Sequence, residues 1–197
     1  MVDDGSTDGC DEVCWHYTRQ GLPITYVYND RPDGQNNCCQ ARNVGIKLAQ
    51  TDEILVSEPE CLFLSDIVAQ LEAARIEYPE DVLYGWTLHA NEEGAGLENA
   101  ERMGTFPYYT LYKRDWLIEV GGYDEALPCD WAWDDVDLNG RLAEVGHNTR
   151  RIDACSAFHQ WHPSRICEAV ENEAYVRAKR WPQDIVANVG REWGVLV

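Results

Sequence analysis

The chain has few lysines and no long apolar segment. Its only lysines are Lys47, Lys113 and Lys179. Among its 197 residues, 35 acidic side chains outnumber 16 basic ones, which gives a net charge of −19. Such an acidic surface repels phosphate backbones, so the composition argues against a nucleic-acid partner. No apolar run approaches the ~20 residues of a membrane span, and no basic start is followed by an apolar block. We therefore expect a soluble, cytoplasmic protein without a transmembrane segment.

The eight cysteines lack the Cys-x-x-Cys spacing that is typical of zinc sites. Cys38 and Cys39 are adjacent, and Cys10 and Cys14 are four residues apart. We predict free thiols in a reducing compartment and no cysteine-based site.

Apolar periodicity predicts alternating strands and helices in the first half of the chain. This alternation implies a mostly parallel central sheet flanked by helices, in a single Rossmann-like α/β domain over residues 1–197, with a mixed arrangement in the second half. A polar loop is expected over residues 90–101 and a glycine turn at Gly121-Gly122. The predicted strands are 24–28, 53–57, 82–88, 106–113 and 150–158, and the predicted helices are 8–20, 36–50, 65–79, 134–145 and 164–180.

The sequence opens with Asp3, Asp4, Gly5 and Ser6 at the end of a strand. Open α/β folds bind ligands at the carboxyl edge of the sheet, where these carboxylates can accept from a base or a ribose. Gly5 lets a ligand approach the backbone closely. The alternative is an Asp/Gly/Ser turn that caps the next helix.

A second and a third candidate segment lie in the middle of the chain. Arg42, near the start of a predicted helix, can bind a diphosphate or hold neighbouring carboxylates in place. Glu58 and Glu60 follow a buried strand, and oxygen ligands of this kind suit Mg²⁺ or Mn²⁺. The alternatives are a solvated arginine and an acidic loop.

The fourth segment contains Trp131, Trp133, Asp134 and Asp135 at the start of a predicted helix. Asp135 lies three residues before the core-facing Leu138, so its carboxylate is expected to extend into a cleft and act as a general base. The two tryptophans can stack on sugar rings. Asp137 is expected to form an ordinary surface pair with Arg141. The alternative is a set of helix-start aspartates beside core tryptophans.

The fifth segment contains His159 and His162 at the end of a predicted strand. Either histidine can complete the cation site that Glu60 begins. A structural or solvated histidine is the alternative.

Taken in this order, the five segments resemble the large inverting glycosyltransferase family two, of the GT-A fold. The resemblance implies that Asp3 and Asp4 contact the nucleotide base and ribose, that Asp135 is the catalytic base, and that Asp134 helps to hold the acceptor. It also implies a metal-ligating histidine, His159 or its rival His162. Two features depart from the family pattern: Glu58-Pro59-Glu60 replaces Asp-x-Asp, and the usual first strand and helix are absent, which gives a shortened N-terminus.

The resemblance leads us to expect transfer of a sugar from a nucleoside diphosphate, most simply UDP, to a carbohydrate hydroxyl with inversion, in polysaccharide biosynthesis. Residues 1–89 would bind the nucleotide, with Arg42 and Glu58 contributing, and residues 102–180 would bind the acceptor and carry catalysis. Mn²⁺ or Mg²⁺ would bind at Glu58, Glu60 and a histidine. The main alternative is a degenerate, non-catalytic sugar-binding, nucleotide-binding or scaffold protein. A nucleotidyltransferase is disfavoured because no glycine-rich basic loop lies near the start.

Overall fold

The chain forms an α/β fold in which helices cover both faces of a six-stranded sheet. The structure is a computed structural model that describes residues 1–30, 37–103, 108–128, 132–163, 169–179 and 182–196. The strands of the described part are β1 Val2–Asp3, β2 Val27–Tyr28, β3 Glu53–Ser57, β4 Cys61–Phe63, β5 Val82–His89, β6 Glu101–Met103, β7 Tyr109–Lys113 and β8 Thr149–His159. The helices are α1 Cys10–Arg19, α2 Cys38–Leu48, α3 Ile67–Glu77, α4 Arg114–Glu119, α5 Asp134–Glu144 and α6 Ala169–Ala178, with a 3₁₀ turn at Leu97–Asn99.

Local capping sets the starts of two of these helices. The Asn37 side chain accepts a hydrogen bond from the Gln40 N–H at the start of α2, and Asp66 accepts one from Ala69 at the start of α3. Each cap satisfies an amide that has no partner within its own helix. The cap places the start of α3 two residues after the start of the predicted helix at residue 65.

The large sheet is mixed, whereas the strand–helix alternation predicts a mostly parallel one. Its strand order is β3-β7-β5-β8-β4, with β6 paired to β5, and only the β5–β8 pair is parallel. Strands β3, β5 and β8 run in the same direction, as the alternation predicts, but β7 lies between β3 and β5 and is antiparallel to both. The alternation indicates the directions of successive strands and not which strands become neighbours. A separate parallel pair, β1 with β2, carries the start of the chain.

The hydrophobic core lies on both faces of the large sheet. On one face, residues of α2, α4, α5 and α6 pack with Val82 and Tyr112 of the sheet. On the other face, Ile67 and Leu71 of α3 pack against Leu83, Tyr109 and Cys155. This arrangement leaves the carboxyl ends of β3, β5 and β8 at one edge of the sheet. No helix in the described part of the chain is long and apolar enough to cross a bilayer.

The predictions for long, strongly periodic elements are confirmed. Strands β3 and β5 and helix α5 agree with the predicted ranges within one residue. The three-residue strands β4 and β6 were not predicted, because so short a run shows no usable alternation. The expected loop at 90–101 contains the 3₁₀ turn and the first residue of β6.

Gly85 in β5 supplies a stability prediction. A Cβ at this position would lie 2.0 Å from the Tyr109 hydroxyl, 2.5 Å from the Cys155 Cβ and 2.8 Å from the Cys155 carbonyl oxygen. Because β8 would have to shift, we expect Gly85→Ala to lower the free energy of unfolding by about 1–3 kcal/mol, measured by urea denaturation.

Gly45 provides the matched control. It lies in α2, where a Cβ would meet only the Val2 side chain at 3.7 Å. Gly45→Ala should therefore stabilise the protein by roughly 0.5–1 kcal/mol, through lower backbone entropy in the unfolded chain. Equal destabilisation by both substitutions would contradict the packing argument.

Candidate active site

The opening carboxylates are held by their own turn and by the start of α2. Asp3 is buried, and its carboxylate accepts hydrogen bonds from the Ser6 N–H at 2.8 Å and the Tyr26 hydroxyl at 2.6 Å. Burial alone would raise the pKa of Asp3, but these two donors lower it. Asp4 accepts from the Asn29 side chain and from the Asn37 N–H at the α2 N-terminus. Gly5, with φ 87°, closes the turn in a conformation that favours glycine.

Arg42 joins two carboxylates that lie far apart in the sequence. One η nitrogen donates to Glu58, which follows β3, and the other donates to Asp134, the first residue of α5. Burial would lower the pKa of Arg42, but the two carboxylates raise it well above its usual value, so the guanidinium stays charged. Of the two roles left open by the sequence, Arg42 in this structure holds carboxylates in place.

The helix that carries Asp134 begins at a strained turn. Ala132 and Trp133 adopt φ values of 65° and 69°, the left-handed region that side chains other than glycine seldom occupy. The buried Asn172 of α6 donates a hydrogen bond to the Ala132 carbonyl at 2.8 Å. Two successive strained residues persist only where surrounding contacts hold them, and such strain is common at functional sites. The Trp133 ring is half-buried and lies 5.4 Å from the Arg177 guanidinium carbon.

Asp135 is half-buried, and in the described part of the chain its carboxylate forms no ion pair. The carboxylate accepts a hydrogen bond from the Val136 N–H, at 2.8 Å. Burial and, second to it, the adjacent Asp134 carboxylate together raise the pKa of Asp135 to about 7. The two neighbouring aspartates therefore differ: Asp134 is paired with Arg42, whereas Asp135 retains a basic carboxylate near neutral pH.

A buried network of charged side chains holds helix α5 against the rest of the domain. Asp137 and Arg141 are fully buried, so the expected surface pair is wrong. Arg141 donates to Asp137 at 2.9 Å and to the carbonyls of Val120 and Gly122 at 2.7 and 2.8 Å. Lys179 at the end of α6 bridges Asp137 and Asp124. The turn that follows α4, at residues 120–122, supplies the carbonyls that allow the Arg141 guanidinium to be buried here.

The histidines lie at the carboxyl ends of β5 and β8. His159 is buried and stacks on His89 at 4.6 Å between ring centroids, with His162 at 5.2 Å. Burial, followed by the two neighbouring histidines, lowers the pKa of His159 to about 4, so the imidazole is neutral at pH 7. The His159 Nδ1 atom is buried, and it has no hydrogen-bond partner among the described residues. Glu60 is half-buried beside this strand end, and its carbonyl accepts from the Gln160 N–H at 3.1 Å.

Carboxylate and imidazole side chains of this kind can bind a divalent cation, but in this structure they are not grouped around one point. Within the described residues, no group of three or more His, Cys, Asp or Glu side chains is close enough to hold a metal ion. Glu58 is engaged by Arg42, and burial raises its pKa. The neutral His159 with an unpartnered nitrogen is the feature that fits a metal ligand best.

A C-terminal segment, residues 182–196, fastens the helix that bears Arg42. Asn43 donates to Glu125 Oε1 and accepts from the Tyr123 N–H. Gly194 N–H donates to the same Glu125 oxygen at 2.8 Å, and the Trp193 ring lies 3.9 Å from the Lys47 ammonium. The sequence alone assigns no role to Asn43 or to this segment, because their contacts join residues far apart in the chain.

The structure thus links the predicted carboxylates through one helix. Asp4 binds the start of α2, and Arg42 of the same helix binds Glu58 and Asp134, with Asp135 next in sequence. Glu60, His159 and His162 lie at the neighbouring strand ends. Trp131, predicted to bind the acceptor, lies outside the described residues.

A family model matches this part of the chain. The model is Glycosyl transferase family 2, and it covers residues 1–126, well over half of the chain. This chain belongs to glycosyl transferase family 2. The match includes the opening aspartates, Arg42 and the Glu58-Pro59-Glu60 segment of this family 2 protein.

Solved structures place the family 2 chain in the GT-A fold. GalNAc-T7, crystallised with UDP, GalNAc and Mn²⁺, superimposes with a TM-score of 0.67 at 14% identity, covering 93% of this chain and 42% of its own. TarS 1–349 from S. aureus in complex with UDP gives 0.63 at 17% identity, covering 93% and 56%. The mannosyltransferase PcManGT from Pyrobaculum calidifontis, with GDP-Man and Mn²⁺, gives 0.59 at 18% identity, also covering 93% and 56%.

The family 2 chain therefore spans about half the length of these structural neighbours. No curated protein sequence matches it significantly. At identities below 20%, the neighbours establish the GT-A fold alone.

Proposed function

We propose that this family 2 chain transfers a sugar from a nucleoside diphosphate, UDP in the simplest case, to a carbohydrate hydroxyl with inversion. The observation that carries the proposal is the Arg42 bridge between Glu58 and Asp134, which holds the start of α5, and the adjacent Asp135, next to the segment that follows β3. Neighbours of the same fold crystallised with UDP or GDP-Man support a nucleotide-sugar donor.

In the proposed reaction, Asp135 takes the proton of the acceptor hydroxyl. The oxygen then attacks the anomeric carbon, and the bond to the diphosphate breaks on the opposite side, so no covalent enzyme intermediate forms. Arg42 keeps Asp134 neutralised and in place, and Asp134 with Trp133 positions the acceptor. The pKa of Asp135, raised to about 7, matches a base that works near neutral pH.

We assign the two halves of the chain to the two substrates. Residues 1–89 supply the donor side, where Asp3, Asp4, Gly5 and Ser6 form the turn that faces the nucleotide. Their carboxylates are already hydrogen-bonded locally, so a nucleotide would add to, or replace, the bonds from Tyr26 and Asn29. Residues 102–180 supply the acceptor side and the catalytic base.

We propose that a divalent cation, Mn²⁺ or Mg²⁺, binds here with Glu60 and His159 as its protein ligands and His162 as a rival. When bound, it would neutralise the leaving diphosphate. The unpartnered His159 Nδ1 supports this assignment, and neighbours crystallised with Mn²⁺ agree with it. Glu58 is the weaker candidate because Arg42 holds its carboxylate.

His159→Gln should weaken the Mn²⁺ dependence of UDP binding. Because Glu60 would be the main protein ligand left, we expect the gain in UDP affinity that Mn²⁺ gives to fall by about ten-fold or more. The measurement is calorimetry with UDP, with and without the metal. His16→Gln, on the exposed surface of α1, is the control. An unchanged gain in His159→Gln would remove His159 from the cation site.

The second candidate is a non-catalytic nucleotide-binding or scaffold protein of the same fold. The described residues contain no preassembled metal group, and both oxygens of Asp3 are engaged within the protein, which favours this candidate. Hydrolysis of a panel of nucleotide sugars, with and without Mn²⁺, separates the two. Metal-dependent release of the nucleoside diphosphate supports the enzyme, whereas metal-dependent binding without turnover on any donor or acceptor supports the scaffold.

A further inference from the structure

A tryptophan on β5 carries an arginine on each face of its ring. The guanidinium carbons of Arg102 and Arg151 both lie 3.7 Å from the Trp86 ring centroid. Two guanidiniums at this distance on one face would overlap, so they occupy opposite faces and are about 7 Å apart. We call Trp86, Arg102 and Arg151 the Trp86 platform. It crosses three strands, because Arg102 is on β6 and Arg151 is on β8.

The stacked arginines keep hydrogen-bonding capacity toward solvent. Asp153 accepts from the Trp86 indole N–H at 2.8 Å and from the Arg151 Nε at 3.0 Å, which fixes the ring and one guanidinium. Within the described residues, the Arg151 η nitrogens form no hydrogen bond, and Arg102 forms no ion pair or hydrogen bond. A guanidinium stacked by its face presents its N–H groups at its edge, in the fork that fits a carboxylate or a phosphate.

This exposed positive charge is unusual in a protein of net charge −19. Asp153 offsets part of this charge through its ion pair with Arg151, whereas Arg102 forms no ion pair within the described residues. Most other basic side chains of the described part are likewise paired with carboxylates: Arg42, Arg75, Arg141, Arg150, Arg177, Lys113 and Lys179. An anionic polymer is repelled over most of the surface, so a local pair of guanidiniums would also fix where it binds. Because both faces of Trp86 are covered, the ring cannot stack on a neutral sugar.

The platform lies on the sheet face that carries the start of α5. Tyr84 pairs with Thr110, and side chains of paired residues share a face. Trp86, two residues after Tyr84, therefore lies on the same face as Thr110 and Tyr112, about 7 Å further along β5. Tyr112 packs with Leu138 of α5 in the core. Moving from Tyr84 to Trp86 leads toward the sheet edge that bears His89 and His159.

We propose that the Trp86 platform binds the acidic groups of an anionic polysaccharide, and that this polysaccharide is the sugar acceptor. The assignment as acceptor rests on the proposed transferase function, whereas the binding itself does not. The guanidiniums of Arg102 and Arg151 bind acidic groups of successive sugar units. The end of the polysaccharide then reaches the part of the same sheet face where Asp135 lies.

Binding of a galacturonic acid hexamer to the full chain, measured by calorimetry, tests the proposal. We expect Arg102→Gln to weaken binding by about ten-fold, since a charge-assisted hydrogen bond is lost. Arg19→Gln makes the same change of charge on exposed α1 and should leave the affinity unchanged. Arg102→Lys keeps the charge without the planar fork and should give an intermediate loss. Unchanged melting temperatures identify variants that are folded.

Three outcomes would overturn the proposal. The hexamer does not bind, or it binds equally to wild type and Arg102→Gln. Cellohexaose, the neutral control, binds as tightly as the acidic hexamer. Inorganic polyphosphate binds as tightly and shows the same loss in Arg102→Gln, which would make the platform a general anion site and not a carbohydrate site.

The same variants distinguish this proposal from the transferase function. If no donor is turned over but the hexamer binds and Arg102→Gln weakens it, the transferase function fails and the binding site stands. If transfer to a neutral acceptor proceeds and Arg102→Gln leaves it unchanged, with no hexamer binding, the transferase function stands and the platform fails.

Discussion

Asp135→Asn should lower sugar transfer by a factor of about 10² to 10⁴, the range that a general base contributes. The asparagine amide is nearly the same size as the carboxylate but cannot take the proton from the attacking sugar hydroxyl. Asp135 forms no ion pair in the described part of the chain, so its replacement should not disturb the Arg42 bridge. The measurement is kcat for transfer, together with the Kd for UDP, which should change by less than about two-fold because the base contacts the acceptor and not the nucleotide.

Asp115→Asn is the matched control for this substitution. Asp115 is exposed on α4, so the same chemical change there should leave both kcat and Kd unaltered. Transfer that persists in Asp135→Asn at the wild-type rate would remove Asp135 from the mechanism. A parallel loss of UDP binding would instead indicate that Asp135 shapes the donor site.

The raised pKa of Asp135 also fixes the sign of the pH dependence. A general base must be ionised, and the ionised fraction of Asp135 grows as the pH rises through about 7. The acid limb of kcat/KM should therefore climb with pH and level off above neutrality. In Asp135→Asn the residual activity should lack this limb, a change that a purely structural residue would not produce.

Arg141→Met should lower the free energy of unfolding by about 3–5 kcal/mol, because it removes one partner of a buried ion pair. Asp137 would retain only the charge of Lys179, and the carbonyls of Val120 and Gly122 would lose their donors. A typical domain is stable by only about 5–15 kcal/mol, so this is a large fraction of the total. The measurement is the urea midpoint with the slope of the transition unchanged.

Arg177→Met offers a stringent control. Arg177 also pairs with a carboxylate four residues away in a helix, Glu173, but their side chains are 68% and 39% exposed, against 0% for both Arg141 and Asp137. An exposed pair of this kind is worth about 0.5 kcal/mol. Equal losses in the two variants would show that burial does not determine the cost.

The comparison of Asp137 with Asp135 shows what the sequence can predict. Helical spacing correctly pairs Asp137 with Arg141, because residues four apart share a helix face. It does not predict their burial, which depends on the carbonyls of residues 120–122 and on Lys179, 42 residues further along the chain. Likewise, Arg42 could be identified as a candidate, but its partner Asp134 is 92 residues away.

The sheet shows the same division between local and distant information. Strands β3 and β5 have clear apolar runs and were predicted closely, whereas their separation by β7 depends on a pairing that no local pattern encodes. The left-handed conformation of Ala132 and Trp133 could not be predicted either, because neither residue is the glycine or asparagine that usually adopts it. The contact from Asn172 that holds this turn comes from a helix 40 residues later.

Residues 182–196 have a consequence for how the protein is made. Gln40 of α2 binds the Val195 carbonyl across 155 residues, and Gly194 binds Glu125 across 69. A ribosome releases Gly194 and Val195 after the strands of the described part of the chain have been synthesised. The contacts of the helix that bears Arg42 are therefore completed only after the sheet has been synthesised, and loop-closure entropy opposes this step more than it opposes any local contact. A nascent chain consequently forms its sheet before it forms the contacts that hold the proposed active site.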